Sequence, residues 1–579
     1  MAPVSWLRNY RRRDFGSDLL ASLIVTIMLI PQSLAYAMLA GLPPETGLYA
    51  SMLPVLGYAL LGSSRVLAVG PVAVISLMTA SALADVSSRH DVSAAEAAAL
   101  LALLSGVMLT LLGVLRMGWI ANFLSHSVIS GFVSASAVLI ALGQLRHLLG
   151  IEAGGSTLVE LVPSLLTHAG ALHPWTLLLG TAALVLLVFS RTRMPALLRG
   201  VGFTAAAALV IQRSVPVIAV IGSILMVMLA GLGTRGVAVV GTVPGGLPPL
   251  GLPPMPLALV LDLLLPALLL SLVGFVESIS IGQSLAMRRR QRVEPDRELL
   301  GLGAANLAAG FTAAFPVTGG FSRSVVNYDA GAVSPMAGVL TAVAMAGVAL
   351  ILTPAFHDLP RAVLSAVIIV AVVPLVDVRA MGRSFRTSFA DGMALLVTFV
   401  GVLVLGIEAG IAAGVGLALA IHLWRSSRPH MAIVGRVPGT EHFRNVDRHE
   451  VRTSDHVLSL RVDESLYFAN ARYLEDRVLA QVTDRPGISD VVLLCSAVNG
   501  IDGSAIESLA SINDRLDVAG VRLHLSEVKG PVMDVLQRTD LPDRLSGRIF
   551  FTQHEAVRAL AGEDPAPGRA PLDGHGDGI

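Results

Sequence analysis

Gly70-Pro-Val-Ala-Val74 opens a short apolar stretch, about 70–84, and Pro316-Val-Thr-Gly-Gly320 opens another, about 320–331. A full crossing of a bilayer takes about 20 apolar residues, so each stretch is short for a span. Around them the apolar runs number fourteen in all: about 18–40, 46–62, 70–84, 95–115, 123–145, 175–190, 215–232, 257–285, 297–314, 320–331, 335–353, 361–378, 389–406 and 408–424. The short pair are the third and the tenth, so each holds third place in one half of a seven-plus-seven plan. An odd number of crossings per half gives the two halves opposite orientation. That is the inverted-repeat plan, in which paired broken helices mark a binding site near the bilayer centre.

Composition agrees with a membrane protein. The chain has 579 residues, of which 54% are hydrophobic and 14% charged; an average soluble protein carries about 25% charged residues. Mean hydropathy is +0.73. A fully soluble enzyme is excluded, and so is a disulfide scaffold, because Cys495 is the only cysteine. No Gly-x-x-x-x-Gly-Lys-Ser/Thr run is present, which argues against ATP-driven pumping. The basic N-terminal segment, with Arg8 and Arg11 to Arg13, leads into a long span without a cleavage site, so no removable signal peptide is expected. Nothing in the composition points to nucleic acid, and the histidines lack metal-ligand spacing.

Loop charge tests the span count. With the N-terminus in the cytoplasm, the loops after even-numbered spans hold Arg65, Arg116, Arg191, Arg193, Arg199, Arg213, Arg288, Arg289, Arg290, Arg292, Arg297, Arg379, Arg383 and Arg386. The opposite loops hold Arg89, Arg146, Arg235 and Arg361. This asymmetry follows the positive-inside rule and puts both termini in the cytoplasm. The stretch 195–212 is apolar but Gly/Ala-rich, and is expected to be an amphipathic interfacial helix. The rival reading, a fifteenth span, would reverse every later loop. The apolar runs stop near Trp424. The membrane part is therefore drawn as 1–429, a cytoplasmic α/β part as 430–560, and 561–579, rich in Pro, Gly and Asp, as a disordered tail.

A helix start offers free N–H groups and about half a positive charge. Two such starts facing each other supply about one charge and several donors without a buried cation, which suits an anion. Polar neighbours fit: Gln32, Ser33 and Tyr36 after Pro31, and Thr318, Ser322 and Ser324 around the tenth segment. Arg323 lies in the first turn of that segment, and an intramembrane Arg usually faces a cavity. Glu277 lies well inside the eighth span, a candidate to take up and release a proton or to hold a cation, with Ser278 and Ser280 as hydrogen-bond partners. The plainer alternatives are helix packing for the Gly/Pro breaks and a fixed pair with Arg323 or backbone for Glu277. Asp262 sits near the outer end of its span and marks the interface. His126 and His422 are lone residues with no assigned role.

These residues carry a resemblance. Ile30-Pro-Gln-Ser-Leu-Ala-Tyr-Ala37, Gly41-Leu-Pro-Pro-Glu-Thr-Gly-Leu-Tyr49, Ala68-Val-Gly-Pro-Val-Ala-Val74, Pro244-Gly-Gly-Leu-Pro248, Gly274-Phe-Val-Glu-Ser-Ile-Ser-Ile281 and Gly319-Gly-Phe-Ser-Arg-Ser-Val-Val-Asn327 resemble, in order, motifs of the SulP sulfate-permease family. The resemblance covers nearly the whole chain. It implies a uracil-permease type of fold, with a core (spans 1–4 and 8–11) against a gate (spans 5–7 and 12–14), and homodimers. It also implies an anion site between the third and tenth segments, matching Gln32, Tyr36, Gly70, Pro71, Val72, Ala73, Gly320, Phe321, Ser322 and Arg323, with Glu277 for coupling. The 195–212 stretch falls in the family's variable region.

Beyond residue 430 strands alternate with helices: Val457–Val462, Val491–Cys495 and 521–525 read as strands, 469–481 and 502–518 as helices. This α/β pattern resembles a STAS domain, which would have a cytosolic partner. Ser504 matches the position phosphorylated in the related antagonists, and the plainer reading is that Asp502 or Ser504 caps a helix. Cys495 reads as an inert buried strand residue. The expected function is secondary active transport of an inorganic oxyanion, sulfate, with proton symport and no cofactor, in the cell's inner (plasma) membrane. The alternatives are sodium coupling, bicarbonate or a dicarboxylate as the cargo, an exchanger or channel, and an anion-sensing regulator acting through the STAS domain.

Overall fold

Proline lacks the N–H of a helical ladder and tends to break helices, yet the first apolar run is one helix, Arg12–Leu39, with Pro31 inside it. Its hydroxyls turn back on the helix itself: Ser22, Thr26 and Ser33 donate to the carbonyls of Leu19, Ser22 and Leu29. These buried hydroxyls are thus satisfied without water, as the interior of a helical bundle requires. The computed structural model describes residues 5–8, 10–84, 86–123 and 125–561. The tail drawn from 561 onward lies, apart from Ala561, outside the described residues. Two compact units make up the chain, Met1–Ala418 and Leu419–Ile579.

In the first unit a helix overlies each of the fourteen apolar runs, the second of them in two pieces, Pro44–Tyr49 and Leu53–Leu61. Eight helices among the described residues are long and apolar enough to cross a membrane. Two groups pack separately. In one, Pro295–Phe311 lies along Ala94–Val114 and Leu53–Leu61, and Arg12–Leu39 lies along Met336–Ile351. A methyl at Gly106 would meet the Leu307 nitrogen at 2.5 Å, so the first of these pairs closes only because a side chain is missing there. In the other group, His126–Leu149 packs on Arg361–Val372 and Phe389–Leu405, and Pro174–Thr192 packs on Arg361–Val372 and Ala205–Ala230. The groups meet where Arg12–Leu39 touches Ala205–Ala230 and Arg361–Val372, and where Ala73–Leu83 touches His126–Leu149.

The interfacial helix expected over 195–212 is corrected. Met194–Gly200 is a short helix of its own, while Ala205 to Ala230 is one continuous helix. Gly202, at φ +97°, separates them. The sequence reading stopped at Gln212-Arg213 because a charge interrupts the apolar run. The fold tolerates that charge because Arg213 donates to the Val326 carbonyl (3.3 Å) and the Asp329 carboxylate (3.1 Å). Two amphipathic helices, Leu158–Thr167 and Val378–Thr387, lie in stretches read as loops.

Two buried carboxylates hold the first group together. Glu298 is fully buried and accepts from the Tyr58 hydroxyl (2.8 Å), the Ser63 and Ser64 amides (2.8 and 2.9 Å) and the Ser63 hydroxyl (2.6 Å). Asp18, also fully buried, accepts from the Val333 and Ser334 amides and the Ser334 hydroxyl. Each unsatisfied buried donor costs about 1–3 kcal/mol. Glu298→Ala is therefore expected to destabilise the protein by about 3 kcal/mol or more, read as a lower unfolding temperature in detergent, with Glu298→Gln intermediate. An unchanged melting curve would show that the cluster is not structural.

The second unit is a six-stranded sheet in the order Phe443–Asn445, Met431–Arg436, Val457–Val462, Asp490–Leu494, Arg522–Ser526, Ile549–Phe550. The first two pairings are antiparallel and the last three parallel. Leu458, Leu460, Val491 and Leu493 share one core with Leu474, Leu509 and Ile512 of the helices Phe468–Thr483 and Gly503–Val518, while Val492 and Phe550 pack on Ala556. Both faces are covered, which explains the continuous apolar run in Asp490–Leu494. Burial pushes the Cys495 thiol up to about 12, so it stays protonated and inert.

Candidate functional site

The two breaks are paired. Val69 lies opposite Gly319 and Gly70 opposite Thr318 in a two-residue antiparallel ladder, which the Gly320 amide extends to the Ala68 carbonyl at 3.0 Å. Gly70 has φ +152°, a conformation that side-chain-bearing residues rarely adopt. A helix follows each strand at once: Ala73–Leu83 after Val72, and Phe321–Asp329 after Gly320. No side chain caps either start, so the first-turn N–H groups are open to a ligand.

Most of the polar groups around the breaks hold the backbone in place. Asn306 clamps Val317, donating to its carbonyl and accepting from its amide, both at 2.9 Å. The Ser278 hydroxyl accepts from the Gly319 amide (2.9 Å) and lies 2.7 Å from the Thr318 hydroxyl, which donates to Gly274. The Ser324 hydroxyl accepts from the Ala68 amide. Thr318 and Ser324 therefore frame the site, a correction to their expected place among ligand neighbours. Ser280 donates to the Val276 carbonyl. Neither serine is hydrogen-bonded to Glu277, contrary to the sequence reading, because each has a backbone partner closer in the fold.

Arg323 is 3% exposed. It donates through one terminal nitrogen to the Pro71 carbonyl, and so crosses from the second break to the first. Its Nε and other terminal nitrogen have no hydrogen-bond partner. A methyl on Gly320 would stand 2.9 Å from that second nitrogen. Glu277 Oε2 is likewise buried without a partner. No fixed pair joins Glu277 to Arg323, although the two lie within electrostatic range of each other and of Tyr36. Two opposite charges are thus held near each other with hydrogen-bonding capacity to spare, a costly arrangement when nothing binds there.

A cavity of about 300 Å³ opens beside the second break, reached there by Ser322 and Val326 of the helix Phe321–Asp329; Arg323 faces a separate cavity of about 20 Å³ with Ala68 and Val69. The larger cavity is lined by Gln32 and Ser322, as expected, and by Ser190, Arg191, Gln212 and Arg213, which were counted only as loop charge. Tyr36 and Arg323 are nearly buried, Phe321 is half exposed, and Val72 and Ala73 supply the first helix start. Asp262 is hydrogen-bonded to His90 at 2.9 Å. In the second unit Asp502 is the helix cap, accepting from the Ala505 and Phe468 amides at 2.9 Å, and Ser504 is exposed beside it.

The sulfate permease family model matches residues 15–398, and the STAS domain model matches residues 448–556. The chain belongs to the sulfate permease family. Its relatives include the chloroplastic sulfate transporter 4.1 of Arabidopsis thaliana, 35% identical over 96% of this chain and 81% of that protein. The high affinity sulfate transporter 2 of Stylosanthes hamata is 31% identical over 96% of this chain and 85% of that one. Among solved structures, the murine solute carrier 26 family member A9 anion transporter, in its inward-facing state, superposes with a TM-score of 0.86 at 22% identity, covering 96% of this chain and 93% of that one. The transmembrane domain of the cyanobacterial bicarbonate transporter BicA superposes at 0.59 and 18% identity, over 71% of this chain and 98% of that one. The sulfate permease family is one of multi-pass membrane transporters, not enzymes, and the fold is that of an anion transporter with a C-terminal STAS domain.

Proposed function

We propose that the protein is a secondary active sulfate transporter driven by proton symport, working by alternating access. The observation that carries this reading is the Arg323 guanidinium, tied to the Pro71 carbonyl with two nitrogens left without partners beside the helix starts, and Glu277 in electrostatic range with Oε2 unpartnered. The helix starts contribute about +1 and Arg323 adds one unit. With Glu277 protonated the site balances a dianion; with Glu277 ionised it balances a monoanion. Binding of proton and sulfate is then cooperative, each raising the affinity for the other by one factor. Sodium is the rival coupling ion, since a buried carboxylate with hydroxyl oxygens nearby can also hold a cation. The relatives named above as sulfate transporters support the choice of anion.

In this reading the fourteen segments lie in the plasma membrane, the third and tenth as half-helices that start near the bilayer centre, with both termini cytoplasmic. The two packing groups are the core and the gate, and the protein is a homodimer. The test is uptake of labelled sulfate into liposomes at zero membrane potential, first with an inward proton gradient, then with a sodium gradient, and in competition with bicarbonate, nitrate, chloride and dicarboxylates. Uptake driven by sodium and indifferent to pH would sink the proton assignment.

The STAS domain has its own sheet and two-faced core, beginning at Met431. Deleting Met431 to the C-terminus is expected to leave measurable sulfate flux while lowering expression or rate. Complete loss of flux in well-inserted truncated protein would make the domain part of the transport path.

A further inference from the structure

Arginines 191 and 213 line the cavity that opens beside the second break, and they are not equivalent. Arg213 is paired with Asp329 at 3.1 Å, so its charge is locally balanced. Arg191 has no carboxylate within ion-pair distance among the described residues; its hydrogen bond goes to the Val370 carbonyl at the far wall. It is exposed, sits in the last turn of Pro174–Thr192, and lies within electrostatic range of Tyr36, as Arg323 does. The same cavity collects neutral donors from three further elements: Gln32 from the first helix, Ser322 from the second helix start, and Gln212 from Ala205–Ala230. An unbalanced cation ringed by amide and hydroxyl donors is the chemistry that holds a small oxyanion.

We propose that this cavity is a second anion site, an access site in which Arg191 captures a tetrahedral oxyanion before it reaches the helix starts. The assignment rests on the anion-transport reading above and extends it to residues outside the two breaks. Arg323 binds the anion at the centre, and Arg191 raises its concentration at the entrance. Ser322 is shared, since it belongs to the first turn of the helix start and also lines the access cavity.

The test uses charge restoration. Cys495 is the only cysteine and is buried in the STAS domain, so Cys495→Ala gives a cysteine-free parent. Arg191→Cys in that parent is labelled in detergent with cationic trimethylammonioethyl or anionic sulfonatoethyl methanethiosulfonate, and labelling is verified by mass. After reconstitution, sulfate–sulfate exchange is measured at equal pH on both sides. We expect the unlabelled variant to show a KM for sulfate about tenfold higher than the parent. The cationic adduct should recover most of that loss, and the anionic adduct should raise KM further. A role limited to tying Pro174–Thr192 to the Val370 carbonyl predicts no dependence on the sign of the adduct, and equal effects of the two reagents would overturn the proposal. If Arg191→Cys does not fold, Gln212→Cys decides: it lines the same cavity without the Val370 contact, and only its anionic adduct should raise KM. Because exchange at equal pH needs no proton gradient, loss of proton drive elsewhere would overturn the proposed symport and leave this result standing.

Discussion

Glu277→Gln is expected to take up sulfate no faster with an inward proton gradient than without one, while sulfate–sulfate exchange persists. Glutamine keeps the size and hydrogen bonding of a protonated carboxyl and cannot release a proton. The site is then fixed in its dianion-binding form, and the term that links proton and sulfate affinities disappears. In the wild type a tenfold proton gradient supplies about 1.4 kcal/mol for each proton carried; in the variant that contribution is zero. Liposome uptake with and without the gradient reads this directly. A Glu277→Gln protein that still concentrates sulfate against its gradient would remove Glu277 from the mechanism.

Arg323→Ala should weaken sulfate binding at every pH, by about a hundredfold or more. Hydrogen bonds to charged groups are worth about 1.5–3 kcal/mol each, and the guanidinium has two nitrogens free to make them. The effect differs in kind from that of Glu277→Gln, because it removes attraction and leaves the proton linkage intact. Arg323 also donates to the Pro71 carbonyl, so part of the loss could come from a displaced break. Arg323→Lys separates the two: it keeps the charge and gives up the forked geometry, and it should recover some affinity. The check is a KM series for sulfate across pH 5 to 8, alongside thermal stability. A KM unchanged in Arg323→Ala would put the anion somewhere else.

The breaks were legible in the sequence because helix breakers in matched places are a local signal, and Gly70-Pro71 and Gly319-Gly320 sit where the short helices begin. The strands Val457–Val462 and Arg522–Ser526 were legible because apolar residues alternate along them, as at Leu458 and Leu460 and at Leu523 and Leu525. Partnerships between distant residues were not. Glu298 reads as one more charge in a cytoplasmic loop until Tyr58, Ser63 and Ser64, more than 230 positions away, close on it. Arg191 reads as topology charge until Gln32 and Ser322 share its cavity. Thr318 and Ser324 read only as polar neighbours of the break, because polarity is visible in a sequence and the direction of a hydroxyl is not. The helix through Arg213 was cut in two because its compensating Asp329 lies 116 positions downstream.

The ladder between Val69–Gly70 and Thr318–Gly319 fixes more than position. Strands in a ladder stand about 4.8 Å apart whatever side chains they carry. The gap between the two helix starts is therefore ruled by peptide geometry, and exchanging side chains around it alters charge without altering width. Under the proposed function, such a frame would select ions by size once and for all, and leave valence to a few replaceable residues.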